Sequence, residues 1–205
     1  TLQPGLAAAP AVTVSLPARP DAIAPAPGTR PEYTPLADHY RIDINLLPPQ
    51  ISGATWELPI TGLVDKPLTL TLNDFYAQRW GEPMNLLITL ACISNEIGGD
   101  LIGTTQWTGI PLRRVLEEAG IQQGAAYLQI ASADGFYETV PLDMIRADER
   151  IMLTYLWDGQ PLTAEHGYPL RIYIPNRYGM KQPKWIMSIA VTDTEIVEVS
   201  TPELD

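Results

Sequence analysis

Short apolar runs with an alternating period dominate this sequence and limit the folds that it can adopt. Trp56, Leu58 and Ile60 alternate with polar residues, and the leucines of 68–72 do the same after a Lys-Pro turn. This is the period of half-buried strands. Five further runs also predict strands, at 86–91, 127–131, 151–157, 170–174 and 185–191.

Two short helices are predicted beside these strands. Asn73 is a candidate N-cap for a helix that ends near Trp80, because its side chain can accept hydrogen bonds from the first turn. A second helix is predicted after Pro111, with apolar residues on one face and Gly120 as its stop. Because helices are few and do not alternate regularly with strands, we predict an α+β domain with a mixed β-sheet core.

Residues 1–32 differ in composition from the rest of the chain. They are rich in alanine and proline, and the prolines recur at positions 4, 10, 17, 20, 25, 27 and 31. Proline lacks a backbone N–H and favours an extended tether over a helix or a sheet. Composition alone favours a disordered tail over a spacer that holds the domain away from a membrane anchor. The globular domain is predicted to span 33–205.

Charge and cysteine content exclude several classes of protein. Acidic residues outnumber basic ones 24 to 13, and no basic run of the kind that follows phosphates is present, so nucleic-acid binding is not expected. The single cysteine cannot form an internal disulfide, and one cysteine with two histidines disfavours a structural zinc site. The sequence contains no apolar run long enough for a membrane span.

Cys92 is the first candidate for chemistry. It ends the apolar run 86–91 and precedes a polar loop with two glycines, a place where site residues are common. A thiolate is a soft metal ligand. Composition alone still favours a buried, inert cysteine over a ligand or a nucleophile. His39 and His166 lack a protease context, so catalysis by a Cys/His pair is the weaker alternative.

A second candidate is a basic cluster in the last third of the chain. The segments 165–171 and 176–185 hold His166 and several basic residues, although basic residues are scarce elsewhere. Such a cluster can bind phosphate, because guanidinium and ammonium groups pair well with it. Solvated charges at strand ends explain the spacing equally well.

Several ordered segments together resemble the molybdopterin-binding domain of the sulfite oxidase superfamily. The resemblance extends from about Tyr33 to Asp205, and the following segments carry it: 90–95 (LACISN), 99–104 (GDLIGT), 107–112 (WTGIPL), 158–162 (DGQPL), 166–171 (HGYPLR) and 178–185 (YGMKQPKW). It implies the α+β fold of that family and a molybdenum–molybdopterin cofactor. It also implies two-electron oxygen-atom transfer chemistry.

The resemblance also implies roles for individual residues. Cys92 would supply the protein thiolate to molybdenum, and the hydroxyl of Tyr155 would lie close to the metal as a second catalytic group. The remaining residues would hold the pterin and its phosphate, with Gln182 and Pro183 contributing mainly backbone: Tyr40, Arg41, Asp43, Ser132, His166, Arg171, Gln182, Pro183 and Lys184.

The sequence departs from the sulfite oxidases at the substrate pocket. Ile42 stands where they carry an arginine, and no arginine follows Cys92 before Arg113. A pocket with little fixed positive charge favours a neutral substrate, because binding an unpaired anion is costly. We therefore predict reduction of a neutral S-oxide or N-oxide, small or protein-bound. A sulfite or other small-molecule dehydrogenase and a non-catalytic binding module on the same fold are the alternatives.

Similarity to the superfamily's periplasmic reductases sets the remaining expectations. These are an extracytoplasmic location and a membrane electron-transfer partner within reach of the tether. The mononucleotide form of the pterin is favoured over a dinucleotide. A monomer is also expected, because no segment of the sequence resembles the family's C-terminal dimerisation domain.

Overall fold

A computed structural model describes residues 31–195, so nearly all of the predicted tether 1–32 lies outside the described residues. The described elements comprise ten strands, three α-helices and three short 3₁₀ turns at 36–38, 164–166 and 179–181. Their bounds are β1 Glu57–Gly62, β2 Leu68–Thr71, β3 Met84–Ala91, β4 Ile102–Pro111, β5 Tyr127–Ser132, β6 Tyr137–Pro141, β7 Met152–Trp157, β8 Gln160–Pro161, β9 Arg171–Tyr173 and β10 Ile186–Thr192, with α1 Leu72–Tyr76, α2 Leu112–Ala119 and α3 Leu142–Ala147. Strands outnumber helices, which confirms the predicted α+β class.

The strands form two five-stranded sheets. The first sheet has the order β2-β1-β10-β5-β6, and the second has the order β3-β4-β7-β8, with β9 also paired to β7. Strands β1 and β10 are parallel, with Ile60 opposite Ile189, whereas the other pairs are antiparallel. The first sheet is therefore mixed, as predicted.

Two apolar clusters hold these layers together. The large core joins the inner face of the first sheet to all three α-helices and to β7, and it includes the fully buried Leu58, Leu128 and Leu153. The small core lies on the other side of the second sheet, where Trp107 and Trp157 pack together. Burying one such side chain stabilises the fold by about 1.5–3 kcal/mol.

The two predicted helices differ in how well the sequence located them. Helix α2 begins after Pro111 and ends at Gly120, as predicted; Gly120 has a φ of +70° there. Helix α1 is shorter than predicted, and Thr71 is its N-cap in place of Asn73. The carboxylate of Asp74 accepts hydrogen bonds from the Thr71 backbone N–H at 2.7 Å and from its hydroxyl at 2.8 Å, which fixes the cap at Thr71.

A β-bulge interrupts β7 and changes the direction of its side chains. Leu156 lies opposite Thr108, but the next pair joins Thr154 to Gly109, so Tyr155 is the extra residue. Alternation along a regular strand would place Tyr155 and Trp157 on the same face. Because the bulge adds one residue, Tyr155 faces the large core and Trp157 faces the small core.

The chain before β1 crosses the second sheet as an extended segment with one 3₁₀ turn. Thr34 anchors it, because its backbone N–H donates to the Thr104 carbonyl at 2.8 Å and its hydroxyl accepts from the Thr104 N–H at 3.0 Å. This places residues 39–44 beside the end of β3. None of the described helices is long and apolar enough to cross a membrane.

Candidate functional site

A pocket of about 790 Å³, including its open mouth, lies where the extended segment 39–44 meets the end of β3, the end of β7 and the turn 179–184. Nine of the eleven site residues predicted from the sequence line it: Tyr40, Arg41, Asp43, Cys92, His166, Arg171, Gln182, Pro183 and Lys184. The structure therefore brings together residues that are up to 144 positions apart in sequence. Ser132 and Tyr155 are not among the lining residues.

Cys92 is held rigidly at the end of β3 and faces this pocket. Its backbone N–H donates to the Leu101 carbonyl at 2.9 Å, and its carbonyl accepts from the Asn95 N–H at 3.1 Å. The Asn95 side chain closes the same loop by accepting from the Leu101 N–H at 2.8 Å. The thiol is 7% exposed and lies 3.2 Å from the Ser94 hydroxyl. The loop thus presents a soft sulfur ligand in a fixed position.

Arg171 is a buried cation with incomplete hydrogen bonding. It is 3% exposed, its Nη1 donates to the His166 carbonyl at 3.1 Å, and its Nε has no partner. The guanidinium lies over the rings of Trp107 and Trp157, at 4.6 and 5.1 Å from their centroids. Burial lowers the pKa of Arg171 to about 10, so it stays charged at neutral pH. A buried cation with an unpartnered N–H among residues 31–195 favours the binding of an anion in the pocket.

Asp43 pairs with two cations that face the pocket. Its carboxylate, 4% exposed, forms ion pairs with Arg41 and Lys184. The Lys184 ammonium also donates to the Glu165 carbonyl at 2.9 Å. Burial and the charge of Arg171 lower the pKa of Lys184 to about 8, although Asp43 opposes this shift. Asp43 was predicted to hold the pterin; in the structure it orients the cations that line the pocket.

Two histidines form the aromatic floor of the pocket with Trp157. The ring centroids of His39 and His166 are 5.5 Å apart, and each ring is within 4.8 Å of the Trp157 ring. Burial, with a contribution from Arg171, lowers the pKa of His39 to about 4 and that of His166 to about 3. Both imidazoles are therefore neutral at pH 7 and can each donate and accept one hydrogen bond.

His39 and Trp157 are site residues that the sequence reasoning missed. The signal for His39 was its position next to Tyr40, and for Trp157 its position before the Asp158-Gly159 turn. Gly103 makes room for His39, because a Cβ at Gly103 would lie 2.6 Å from the imidazole ring.

The other predicted site residues have different surroundings. Tyr155 is fully buried in the large core, where its ring packs against Phe75 and Tyr76. Its position beside a metal stays a prediction. Ser132 ends β5 with a buried hydroxyl that has no partner, next to the pocket but not on its wall. The Gln182 side chain binds backbone carbonyls of its own loop, at Ile174 and Arg177, so it shapes the wall.

The mouth of the pocket is apolar. Ile42, Ile44 and Met180 line the pocket and are 50–61% exposed. Five more exposed large apolar residues lie within three positions of these residues or in the loop after Cys92: Leu46, Leu47, Ile93, Ile97 and Tyr178. An apolar rim of this kind is typical of a binding surface.

A soft sulfur ligand beside a buried cationic anion site, on an α+β scaffold, is the arrangement of a domain that binds an anionic metal cofactor. Residues 45–199 match the family described as the oxidoreductase molybdopterin binding domain, and the chain belongs to this family. The superfamily predicted from the ordered segments is thereby confirmed.

Individual relatives agree with this assignment. The chain is similar to the uncharacterized oxidoreductase YuiH of Bacillus subtilis, with 34% identity over 67% of this chain and 65% of that protein. It is also similar to the NADH nitrate reductase of Spinacia oleracea, with 28% identity over 79% of this chain and 20% of that protein. The chain thus matches about two thirds of the first and one fifth of the second.

A solved structure supports the fold. The sulfane dehydrogenase SoxCD of Paracoccus pantotrophus is similar to this chain with a TM-score of 0.63 and 26% identity, over 71% of this chain and 40% of that one. The predicted sulfite-oxidase-type fold is confirmed.

The pocket fits the cofactor that this family implies. The Cys92 thiol can ligate the metal, and Arg171 lacks the anion that its buried charge requires. His39 Nε2 and Tyr40 Oη are also buried and unpartnered within residues 31–195. Buried polar atoms without partners are rare in native proteins unless a ligand completes them. Arg171 and His39 thus form a donor set for a phosphorylated pterin, and the Tyr40 hydroxyl faces the same pocket.

Proposed function

We propose that the domain reduces a neutral oxide, either an S-oxide or an N-oxide, with a molybdenum–pterin cofactor. The carrying observation is that each cation of the pocket has a use other than binding the substrate: a pair with Asp43 or, for Arg171, the anionic group of the cofactor. Arg41 and Lys184 are paired with Asp43, and Arg171 lies deep between two tryptophans. The exposed rim contributes Ile42, Ile44 and Met180. Such a pocket favours a substrate without net charge.

The described residues would divide the work of holding the cofactor. Cys92 would ligate the metal, Arg171 and Lys184 would pair with anionic groups, and His166 would bind the pterin through a neutral imidazole. When bound, the cofactor supplies the two-electron oxygen-atom chemistry. The protein contributes orientation and a water-poor environment.

Reduction of an S-oxide or N-oxide consumes two electrons and two protons and releases one water molecule. The electrons must come from a redox partner. Burial holds His39 and His166 neutral at pH 7 in the cofactor-free pocket, so the two protons are taken from solvent. A substrate entering past Ile42 and Met180 would leave water behind at the apolar rim. Exclusion of water strengthens each remaining hydrogen bond to the substrate oxygen.

Metal content and turnover test this function together. The protein should be expressed in a host that makes the cofactor, and reduction of dimethyl sulfoxide, trimethylamine N-oxide and methionine sulfoxide should be followed with reduced methyl viologen. We expect oxide-dependent oxidation of the dye and no reaction with sulfite. Failure to reduce any oxide by a molybdenum-loaded protein would overturn the proposal.

Cys92→Ser is the variant that tests the metal ligand. We expect it to lose at least 90% of its molybdenum, because a hydroxyl is a poor substitute for a soft thiolate. Glu96→Gln is the matched control, since Glu96 is an exposed residue of the same loop. Molybdenum retained in full by Cys92→Ser would exclude the proposed ligand.

Oxidation of a reduced sulfur compound is the second candidate, because the similar solved structure is a sulfane dehydrogenase. It predicts reduction of ferricyanide that depends on sulfite or thiosulfate. Absence of this reaction at millimolar concentrations, with oxide reduction present, would leave the reductase function.

Three further features of the proposal are supported by similarity to the family's single-domain reductases. We propose the mononucleotide form of the pterin, an extracytoplasmic monomer, and a membrane protein as electron donor. Nucleotide released from the denatured protein would contradict the first feature. Sedimentation of the loaded protein as a dimer would contradict the monomer. Turnover at the full rate with cytosolic electron donors alone would contradict a membrane protein as the donor.

A further inference from the structure

Tyr40 carries a buried hydroxyl that no other described residue satisfies. The residue lines the pocket together with Cys92, and its Oη has no hydrogen-bond partner. Its ring stacks on the His39 ring, with centroids 5.2 Å apart and planes 21° apart, so the hydroxyl has little freedom to turn away. A buried hydroxyl without a partner destabilises the fold. A ligand oxygen would remove this destabilisation.

Gly179 shows where this hydroxyl lies. A Cβ built on Gly179 would be 2.6 Å from the Tyr40 Oη and 3.7 Å from the carbonyl oxygen of Ala91, the residue before Cys92. The Tyr40 hydroxyl and the base of the Cys92 loop therefore border the same narrow space. The φ of Gly179 lies outside the left-handed region, so a side chain is excluded here by space and not by backbone conformation.

The hydroxyl is a donor throughout the neutral pH range. Burial raises the pKa of Tyr40 to about 12; the nearby Cys92 acts in the same direction and Arg171 acts against it. Two cations of the pocket already donate to protein groups, whereas Arg171 Nε and His39 Nε2 have no partner among residues 31–195 and stay available to the cofactor. Lys184 binds Asp43 and the Glu165 carbonyl, and Arg171 donates to the His166 carbonyl.

We propose that Tyr40 is a catalytic residue whose hydroxyl donates a hydrogen bond to the oxygen atom of the bound oxide, at the Cys92 end of the pocket. The inference rests on the proposed oxide reduction and assigns it a specific donor. Negative charge grows on the oxygen as its bond to sulfur or nitrogen weakens, and a donor fixed in advance stabilises that charge. The resemblance implied that Tyr40 helps to hold the pterin; here its hydroxyl is assigned to the substrate oxygen.

The test is Tyr40→Phe in the cofactor-loaded protein. Loss of one fixed donor of this kind lowers kcat by roughly 100-fold, while the molybdenum content stays at the wild-type level. A readout without turnover is the Kd of dimethyl sulfone, a non-reacting analogue, measured from the visible spectrum of the loaded protein. We expect this Kd to rise at least threefold in Tyr40→Phe.

A second readout separates hydrogen bonding from a merely structural role. The oxygen of an N-oxide is more basic than that of an S-oxide, so its hydrogen bond with Tyr40 is stronger. The loss of kcat/KM in Tyr40→Phe, which includes the hydrogen bond to the bound substrate, should therefore be larger for trimethylamine N-oxide than for dimethyl sulfoxide. Equal losses for both substrates would overturn the direct contact.

Gly179→Ala tests the same hydroxyl without changing it. The added methyl group must displace the Tyr40 Oη, so we expect a loss of kcat in the same direction. In the Tyr40→Phe background the clash is absent, and Gly179→Ala should then change kcat by less than threefold. This non-additivity is the signature of a shared mechanism; additive losses would contradict it.

Tyr76→Phe is the matched control, because it removes a buried hydroxyl that also has no partner among residues 31–195 and lies outside the pocket. Its kcat and molybdenum content should equal those of the wild type. Loss of molybdenum in Tyr40→Phe in proportion to activity, or an unchanged kcat, would overturn the inference while leaving the proposed function intact. A wild-type protein that holds molybdenum and reduces no oxide would overturn both.

Discussion

The large core and the pocket both exclude water, but their buried groups differ in kind. The large core is built from aliphatic and aromatic side chains such as Leu58, Leu128 and Ile189, all fully buried. The pocket buries a charged arginine and two neutral histidines. Burial removes these polar groups from water, and few protein hydrogen bonds replace the lost contacts with water. The core therefore stabilises the fold, whereas the pocket costs stability until a ligand pairs with its polar groups.

Leu58→Ala tests the core side of this comparison and has the largest expected effect. Leu58 is fully buried, and its truncation should lower the free energy of unfolding by about 2–5 kcal/mol. Urea denaturation measures this change. Leu46→Ala, at a position 95% exposed, should change it by less than about 0.5 kcal/mol. Reduced molybdenum per folded Leu58→Ala molecule would show that core and pocket are not independent.

Acid should destabilise the cofactor-free protein through the pocket. His39 and His166 have folded pKa values of about 4 and about 3, below the unfolded value of about 6.5. Their contribution to stability is fully present above pH 6.5 and is lost as the pH falls toward the folded values. We expect a loss of about 2–3 kcal/mol between pH 6.5 and 5, measured by urea denaturation. His39→Gln should reduce this pH dependence, and an unchanged dependence would contradict it.

Arg171→Met should separate stability from function. Replacement of a buried, poorly paired cation by an apolar side chain of similar length should raise the free energy of unfolding of the cofactor-free protein by about 1–2 kcal/mol. The molybdenum content should fall at least tenfold, because the variant lacks the cation that would pair with the anionic group of the cofactor. Arg146→Met is the control, since Arg146 is exposed. A destabilised Arg171→Met protein would show that the cation is well satisfied without a ligand.

Tyr155→Phe should have the smallest effect on stability. The Tyr155 hydroxyl is buried without a partner, so its removal should change the free energy of unfolding by less than about 1 kcal/mol. Thermal unfolding measures this. A tenfold loss of activity in this variant would instead support the catalytic position close to the metal that the resemblance implied for Tyr155.

Local signals located much of the fold. The alternating runs gave β1, β2, β3, β5, β7 and β10 to within about two residues, and Gly120 gave the end of α2. Strand β4 escaped because it buries polar residues, among them Thr105, Gln106 and Thr108, and so lacks an apolar pattern. Its position between β3 and β7 causes this burial, and no local rule reveals it.

The site was predictable only where several segments together matched a known arrangement. Composition favoured an inert Cys92, and only the ordered segments around it led to the prediction that it is a metal ligand. The position of Tyr155 could not be predicted, because a single bulged residue in β7 reverses the alternation. His39 could not be separated from an ordinary core histidine without its contacts to Trp157 and His166.

The ion pair between Asp43 and Lys184 also bears on the order of folding. The two residues are 141 positions apart in sequence, so their contact closes nearly the whole described chain into a loop. Contacts of such long range form late, because the entropy of loop closure must be overcome after the local strands and helices exist. The first sheet depends on contacts of similar range, because β1 pairs with β10 at Ile60 and Ile189, so this sheet and the pocket wall close at the same stage.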